Sequence, residues 1–321
     1  MRSSSLTGTG LCAALLSICL TQSTNALTFS ENIKDTETGA LEFQTYALNS
    51  GEFGSRELET GRPDADEFQT YAFKTDPLRG KYKNVVAIDL SVASLAITSW
   101  GIAQWGWFTH SPVAKREGWF GADTSSGGAD KTGHFYMSYL LSELFLTDFR
   151  RHGVHNAENK AALSALAAMT LVELGDATSD KFGASGEDLI ADILGVAMSW
   201  WLGSNPVWDD RIDVRMEYWP SSGFNLKNDA VSDYSGMKHL MALRADGFLS
   251  LRHTPLKWFE LQAGYYTRGF RTFDEQQIPS RHTYVGLGLS LPVLAGKNTK
   301  FGKLLSYIQP PGFNVEADRQ F

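Results

Sequence analysis

Cysteine is nearly absent from this chain: of 321 residues only Cys12 and Cys19 carry a thiol, and both fall inside a segment that reads as an export signal. Once that segment is removed no thiol remains, which excludes disulfides, thiolate nucleophiles and zinc-thiolate sites. Positive charge is also in deficit, with 29 Lys and Arg against 36 Asp and Glu. Loss of residues 1–26 removes Arg2 and no acid, and the resulting balance excludes nucleic acid as an expected partner. What the chain has in quantity is apolar material, 43% hydrophobic and 12% aromatic, enough for a sizeable core.

The segment Met1 to Ala26 has a basic start at Arg2, an apolar run from Leu11 to Leu20, and the short-residue ending Thr24-Asn25-Ala26. This is the layout of a cleavable secretory signal, so the mature chain is expected to begin near Leu27, exported across the inner membrane to the periplasm and associated with a membrane. The apolar run is shorter than the roughly 20 residues a spanning helix needs. Cleavage before Cys19 as a lipoprotein is the minority alternative, because Ile18 stands where a small residue is wanted.

Residues 27–80 carry eleven acidic and five basic side chains and few aliphatic ones, the composition of a tail that stays disordered. Within it Glu42-Phe43-Gln44-Thr45-Tyr46-Ala47 recurs as Glu67-Phe68-Gln69-Thr70-Tyr71-Ala72. The repeat reads either as a tandem docking motif for a protein partner, adding a strand to a sheet edge, or as two short strands of the protein's own body.

From Leu90 to Phe108 the chain has no charge over 19 residues, close to spanning length. Three further helix-like segments follow, about Lys131–Phe149, Lys160–Thr178 and Glu187–Gly203, each apolar on a wide stripe. After Pro206 the period changes to two: Phe259, Leu261, Ala263 and Tyr265 alternate with Glu260, Gln262, Gly264 and Tyr266, and Val285, Leu287 and Leu289 alternate with Gly286, Gly288 and Ser290. Met237–Leu251 and weaker segments at Asp213–Tyr218 and Leu304–Ile308 bring the count to four or five strands, short of the 8 of the smallest membrane barrels. The expected fold class is α+β: a bundle of about four helices over residues 81–205, then a small antiparallel β-sheet over residues 206–321 packed on it.

Polar residues gather at the predicted helix ends. Asp130 and His134 are four apart at the start of one helix, Glu173 and Asp176 three apart at the end of the next, and Asp188 and Asp192 four apart at the start of the third. An antiparallel arrangement brings all three ends to one rim, making Asp130, His134, Glu173, Asp176 and Asp188 the candidate site. Hard oxygen donors with at most one imidazole suit Mg²⁺, Ca²⁺ or Mn²⁺. His134 beside a carboxylate also suits a general base acting on water or a headgroup. Each residue has a plainer reading too: Asp130 as a helix cap, Ser185 with Asp188 as a capping box, and Glu173 and Asp176 as partners of Lys131 or Lys181.

The pieces Glu117-Gly118-Trp119-Phe120-Gly121, Gly128-Ala129-Asp130-Lys131-Thr132-Gly133-His134, Glu173 with Asp176, the series Gly183, Ser185, Asp188, Gly195, and Tyr234-Ser235-Gly236 with Gly264-Tyr265-Tyr266 resemble the YfiM-like family of predicted periplasmic lipoproteins. The likeness covers roughly Trp107 to Val293. This chain departs from it in carrying Asp192 where the family tends to have Asn, and in lacking the lipid-bearing cysteine. The order of an Asp-Lys-His helix, a Glu helix and a Ser-x-x-Asp helix is also similar, more distantly, to VanZ-like membrane proteins. The resemblance implies an envelope location and a site position, with a membrane or envelope component as partner, and no reaction. Two functions remain open at this point: a structural or lipid-related envelope role, and a metal- or His-dependent hydrolase acting on a lipid headgroup or glycan.

Overall fold

A computed structural model describes residues 84–222, 224, 229–270 and 278–321. The expected signal segment 1–26, the acidic tail 27–80 and both copies of the Glu-Phe-Gln-Thr-Tyr-Ala repeat lie outside the described residues.

Four long helices come first. Helix α1 (Val85–Trp100) continues through a wider π-type turn at Gly101–Trp105; α2 is Ala129–Arg151, α3 Ala157–Asp176 and α4 Gly186–Ser204. Arg150 and Arg151 complement the dipole in the last turn of α2, and Gly153 then takes a positive φ of 66° that ends it. Ala157, Ala161, Ala165 and Ala168 form a buried small-residue stripe on α3. That stripe lets α3 approach the core of Phe145, Leu146 and Phe149 from α2, which Val85 of α1 and Val196 of α4 complete.

Two two-residue strands, β1 (Ala114–Lys115) and β2 (Ala184–Ser185), pair in parallel and tie the loops that precede α2 and α4. The main sheet holds β3 (Ile212–Tyr218), β4 (Met237–Arg244), β5 (Phe259–Arg268), β6 (Ser280–Leu289), β7 (Ile308–Gln309) and β8 (Asn314–Gln320), in the spatial order β7-β3-β4-β5-β6-β8. All neighbours are antiparallel except β3 and β7. The fold is α+β. The expectation of four or five strands after Pro206 is corrected to six in the main sheet. Of Leu304–Ile308, Leu304 and Leu305 close a short helix, Lys300–Leu305, Ser306 and Tyr307 turn, and only Ile308 is in a strand. β8 went unread because Glu316, Asp318 and Arg319 mask its weak alternation.

The sheet wears its polarity inside out. Leu243, Leu261, Leu287 and Val315 stand opposite one another in register on one face, with Met241, Phe259, Val285 and Leu289 around them. Of these, all but Leu243 are exposed. On the other face Asp213, Arg215, Glu217, Arg244, Glu260 and Gln262 are buried, joined by Gln309. Arg215 donates to Glu260 through both terminal nitrogens, at 2.7 and 2.9 Å, and pairs with Asp213. Gly288 and Gly264 make room on this inner side, since a Cβ there would sit 2.6 Å from the Gln262 amide or 2.5 Å from the Tyr284 ring. A water-soluble sheet normally buries its apolar face and wets its polar one.

Helix α1 shows the same tendency. Val85–Trp105 is 21 residues long, apolar enough to cross a membrane by length and composition, and mostly unburied. Ile88, Val92, Leu95 and Ile102 face outward.

Candidate functional site

The start of α2, the end of α3 and the start of α4 meet at one end of the bundle, and their closeness is built into small residues. Gly195 of α4 lies so near α2 that a Cβ would come within 2.1 Å of the Phe135 carbonyl oxygen. Trp107 is pressed between Gly101 and Gly175 and donates its indole N–H to Asp176 Oδ1 at 2.7 Å. Ser185 caps α4 by accepting the Asp188 N–H at 3.3 Å, while its own N–H goes to Glu173 Oε2 at 2.8 Å. The capping box read from the sequence is therefore half formed, with Glu173 of α3 supplying the reciprocal acceptor.

Lys131 is the cationic hub. Its buried ammonium lies 2.6 Å from Asp188 Oδ1, 2.8 Å from Glu117 Oε2 and 3.0 Å from Asp130 Oδ2. Asp130 accepts a second hydrogen bond, at 2.5 Å, from Tyr234 OH, delivered by the turn before β4. His134 faces the other acids: its Nδ1 stands 3.2 Å from Asp192 Oδ1 and 3.8 Å from Glu173 Oε1. Donor atoms of Asp130, His134 and Asp188 lie within 4.8 Å of one another, as do those of His134, Glu173 and Asp192.

Electrostatics follow from burial and an excess of acid. Burial disfavours charge on Asp130, but His134, Lys131 and the Tyr234 hydroxyl outweigh it and hold the carboxyl well below the usual range. Burial likewise opposes a charged His134, yet the hydrogen bond and charge of Asp192, with Asp130 and Asp188 beyond, keep its pKa well above 6.5. For Glu173 burial wins over His134 and the Ser185 N–H and pushes the pKa up to about 8. Burial also raises Asp192, against the pull of His134, and lifts Asp176 to about 6 against its Trp107 bond.

Of the five sequence candidates, Asp130, His134, Glu173 and Asp188 converge. Asp176 sits at the edge, turned to Trp107 rather than to His134, because Gly175 admits the indole beside it. Asp130 is not a cap: the residue capping α2 is Gly128, without a side-chain bond. Lys131 pairs with Glu117, Asp130 and Asp188, and Lys181 donates to the Gln104 carbonyl, so neither lysine serves Glu173 or Asp176. The candidate list omitted Lys131, Asp192, Glu117 and Tyr234. Asp192 was findable from its four-residue spacing to Asp188; Tyr234, 104 residues from Asp130, carried no local signal.

A family model described as predicted periplasmic lipoprotein (DUF2279) matches residues 116–204. That stretch runs from just before Glu117 to the end of α4 and holds every site residue except Trp107 and Tyr234. The chain is similar to that family over this part. No curated protein and no solved structure matches it.

Proposed function

We propose that this chain is a periplasmic envelope protein held at a membrane by α1 and by the outward apolar face of its sheet, with the buried His134 cluster as its working centre. The family match supports the compartment, since the matched family is described as periplasmic and lipid-bearing. The lipid route has little to use here, because Cys12 and Cys19 are the only cysteines. Helix α1 takes that role instead, being long enough for the hydrocarbon core.

The observation that carries the reading is the side on which the apolar residues lie. Leu261, Leu287 and Val315 face out while Arg215, Glu260 and Gln262 are sealed in. This is the polarity of a surface adapted to lipid. Among the described residues the sheet has open edges at β7 and β8, and unpaired backbone is not tolerated in hydrocarbon. The sheet therefore lies against the membrane while α1 enters it.

The test is fractionation of cells expressing the full chain. The expected result is a protein that stays with membranes through an alkaline carbonate wash and is released by detergent. Recovery in the soluble periplasmic fraction after osmotic shock overturns the reading.

A further inference from the structure

The site holds six carboxylates, Glu117, Asp130, Glu173, Asp176, Asp188 and Asp192, and two basic side chains, Lys131 and His134. Lys131 is committed to Glu117, Asp130 and Asp188, and Asp176 has its indole. That leaves Glu173 and Asp192 to share one imidazole nitrogen, His134 Nδ1. The arrangement is incomplete. Glu173 Oε1, the oxygen turned toward His134, and Asp192 Oδ2 have no hydrogen-bond partner, although Glu173 is 6% exposed and Asp192 is 0% exposed. A buried carboxylate oxygen without a partner has given up its water for nothing in return, and a ligand supplies what is missing.

We propose that His134, Glu173 and Asp192 bind one divalent first-row cation, with Mn²⁺ the best match to their donors. Taking the His134 cluster as the working centre, this names what the cluster works with. The three donor atoms lie within 4.8 Å of one another, and rotations of about an ångström bring them to the ~2.1 Å of a first-row ion. The neighbouring grouping of Asp130, His134 and Asp188 is not the site, because the Lys131 ammonium already fills the place of a cation there. Donor type narrows the ion: two carboxylates are the hard donors that Mg²⁺, Ca²⁺ and Mn²⁺ take, and the imidazole turns the set toward first-row ions, where Mn²⁺ meets both preferences.

The experiment uses the full chain in detergent, stripped with a chelator and titrated with MnCl₂ while the paramagnetic resonance signal of free Mn²⁺ is followed. The expected result is loss of that signal up to one equivalent per chain. Asp192→Asn and Glu173→Gln keep the side-chain shape and are expected to weaken binding at least ~10-fold, the lower end of what losing even an outer-shell partner costs. Glu158→Gln, on the far side of the bundle, is expected to leave it unchanged. A free signal at full intensity at one equivalent overturns the proposal, as does a folded Asp192→Asn or Glu173→Gln chain that binds like the unaltered one. Should both variants fail to fold by circular dichroism, the stoichiometry of the unaltered chain decides. Carbonate extraction of the same expression culture reads membrane attachment separately, so failure of the cation site and failure of the membrane reading give different results.

Discussion

Lys131 Nζ, in the first turn of α2, stands 2.6 Å from Asp188 Oδ1, in the first turn of α4. One ammonium thus joins two helix starts that would otherwise present Asp130, Glu117 and Asp188 to each other across a buried gap. Replacing Lys131 with Met keeps the stem and removes the charge. The expected cost is about 3–5 kcal/mol in chemical denaturation, the range for breaking a buried ion pair from one side. A loss under ~1 kcal/mol would show that solvent, rather than Lys131, neutralises these acids.

Gly195→Ala tests how closely α4 is seated on α2. The added Cβ meets the Phe135 carbonyl at 2.1 Å and Ser138 Oγ at 2.2 Å. A carbonyl oxygen in mid-helix cannot turn aside, so the helices must part, at roughly the 1–3 kcal/mol of overpacking. A lowered melting temperature is expected. Because Asp192 and His134 sit on these same two helices, Mn²⁺ binding should weaken with it.

Glu143 gives the bundle a pH dependence of its own. Burial, followed by the charge of Asp209, lifts its pKa to about 7 in spite of the hydrogen bond from Ser199. Unfolded, the same group titrates at its ordinary 4.5. Between these values the folded chain holds the proton and the unfolded chain has lost it. The contribution of Glu143 is therefore greatest in acid, declines as pH rises from about 4.5 to 7, and is least above that. Glu143→Gln is expected to flatten this part of the stability curve and to stabilise the protein at pH 8, on the order of 3 kcal/mol. An unchanged slope would place the proton elsewhere.

Arg215→Met should be among the most damaging single changes in the sheet. The guanidinium is fully buried and serves Asp213, Glu260 and Gln309 together; its loss leaves Asp213 to Arg244, 3.2 Å away, and strands Glu260 at about 3–5 kcal/mol. Adding Glu260→Gln should recover part of that loss. Urea unfolding of the three chains checks it; a double variant as weak as Arg215→Met alone would argue against a charge origin.

The helices were legible because their apolar stripes repeat over 19 to 23 residues and their ends carry glycines and acids. Spacing alone also brought Asp130, His134, Glu173 and Asp188 to one rim, since residues three or four apart share a face and antiparallel helices alternate their ends. The strands were legible as a period of two, but period does not say which side is wet. Glu260 and Gln262 read as the solvent face of β5 and are buried, while Leu261 reads as core and is exposed. The inversion rests on what Arg215 and Gln309 bring from β3 and β7, 45 residues before Glu260 and 49 residues after it. Lys131 reads in the sequence as a partner for Glu173 or Asp176; its reach to Glu117 instead depends on a loop path that no repeat encodes.

Asp130 takes its hydroxyl from Tyr234, and Tyr234 lies beyond the helices altogether. An exported chain emerges from its beginning, so all four helices are outside before that tyrosine arrives. During that interval Asp130 has Lys131 and His134 beside it and lacks the tyrosine hydroxyl. The turn before β4 thus acts as a clasp in time as well as in space: a chain stalled or cut before residue 234 holds the helices yet lacks the fastening that tells a finished protein from an unfinished one.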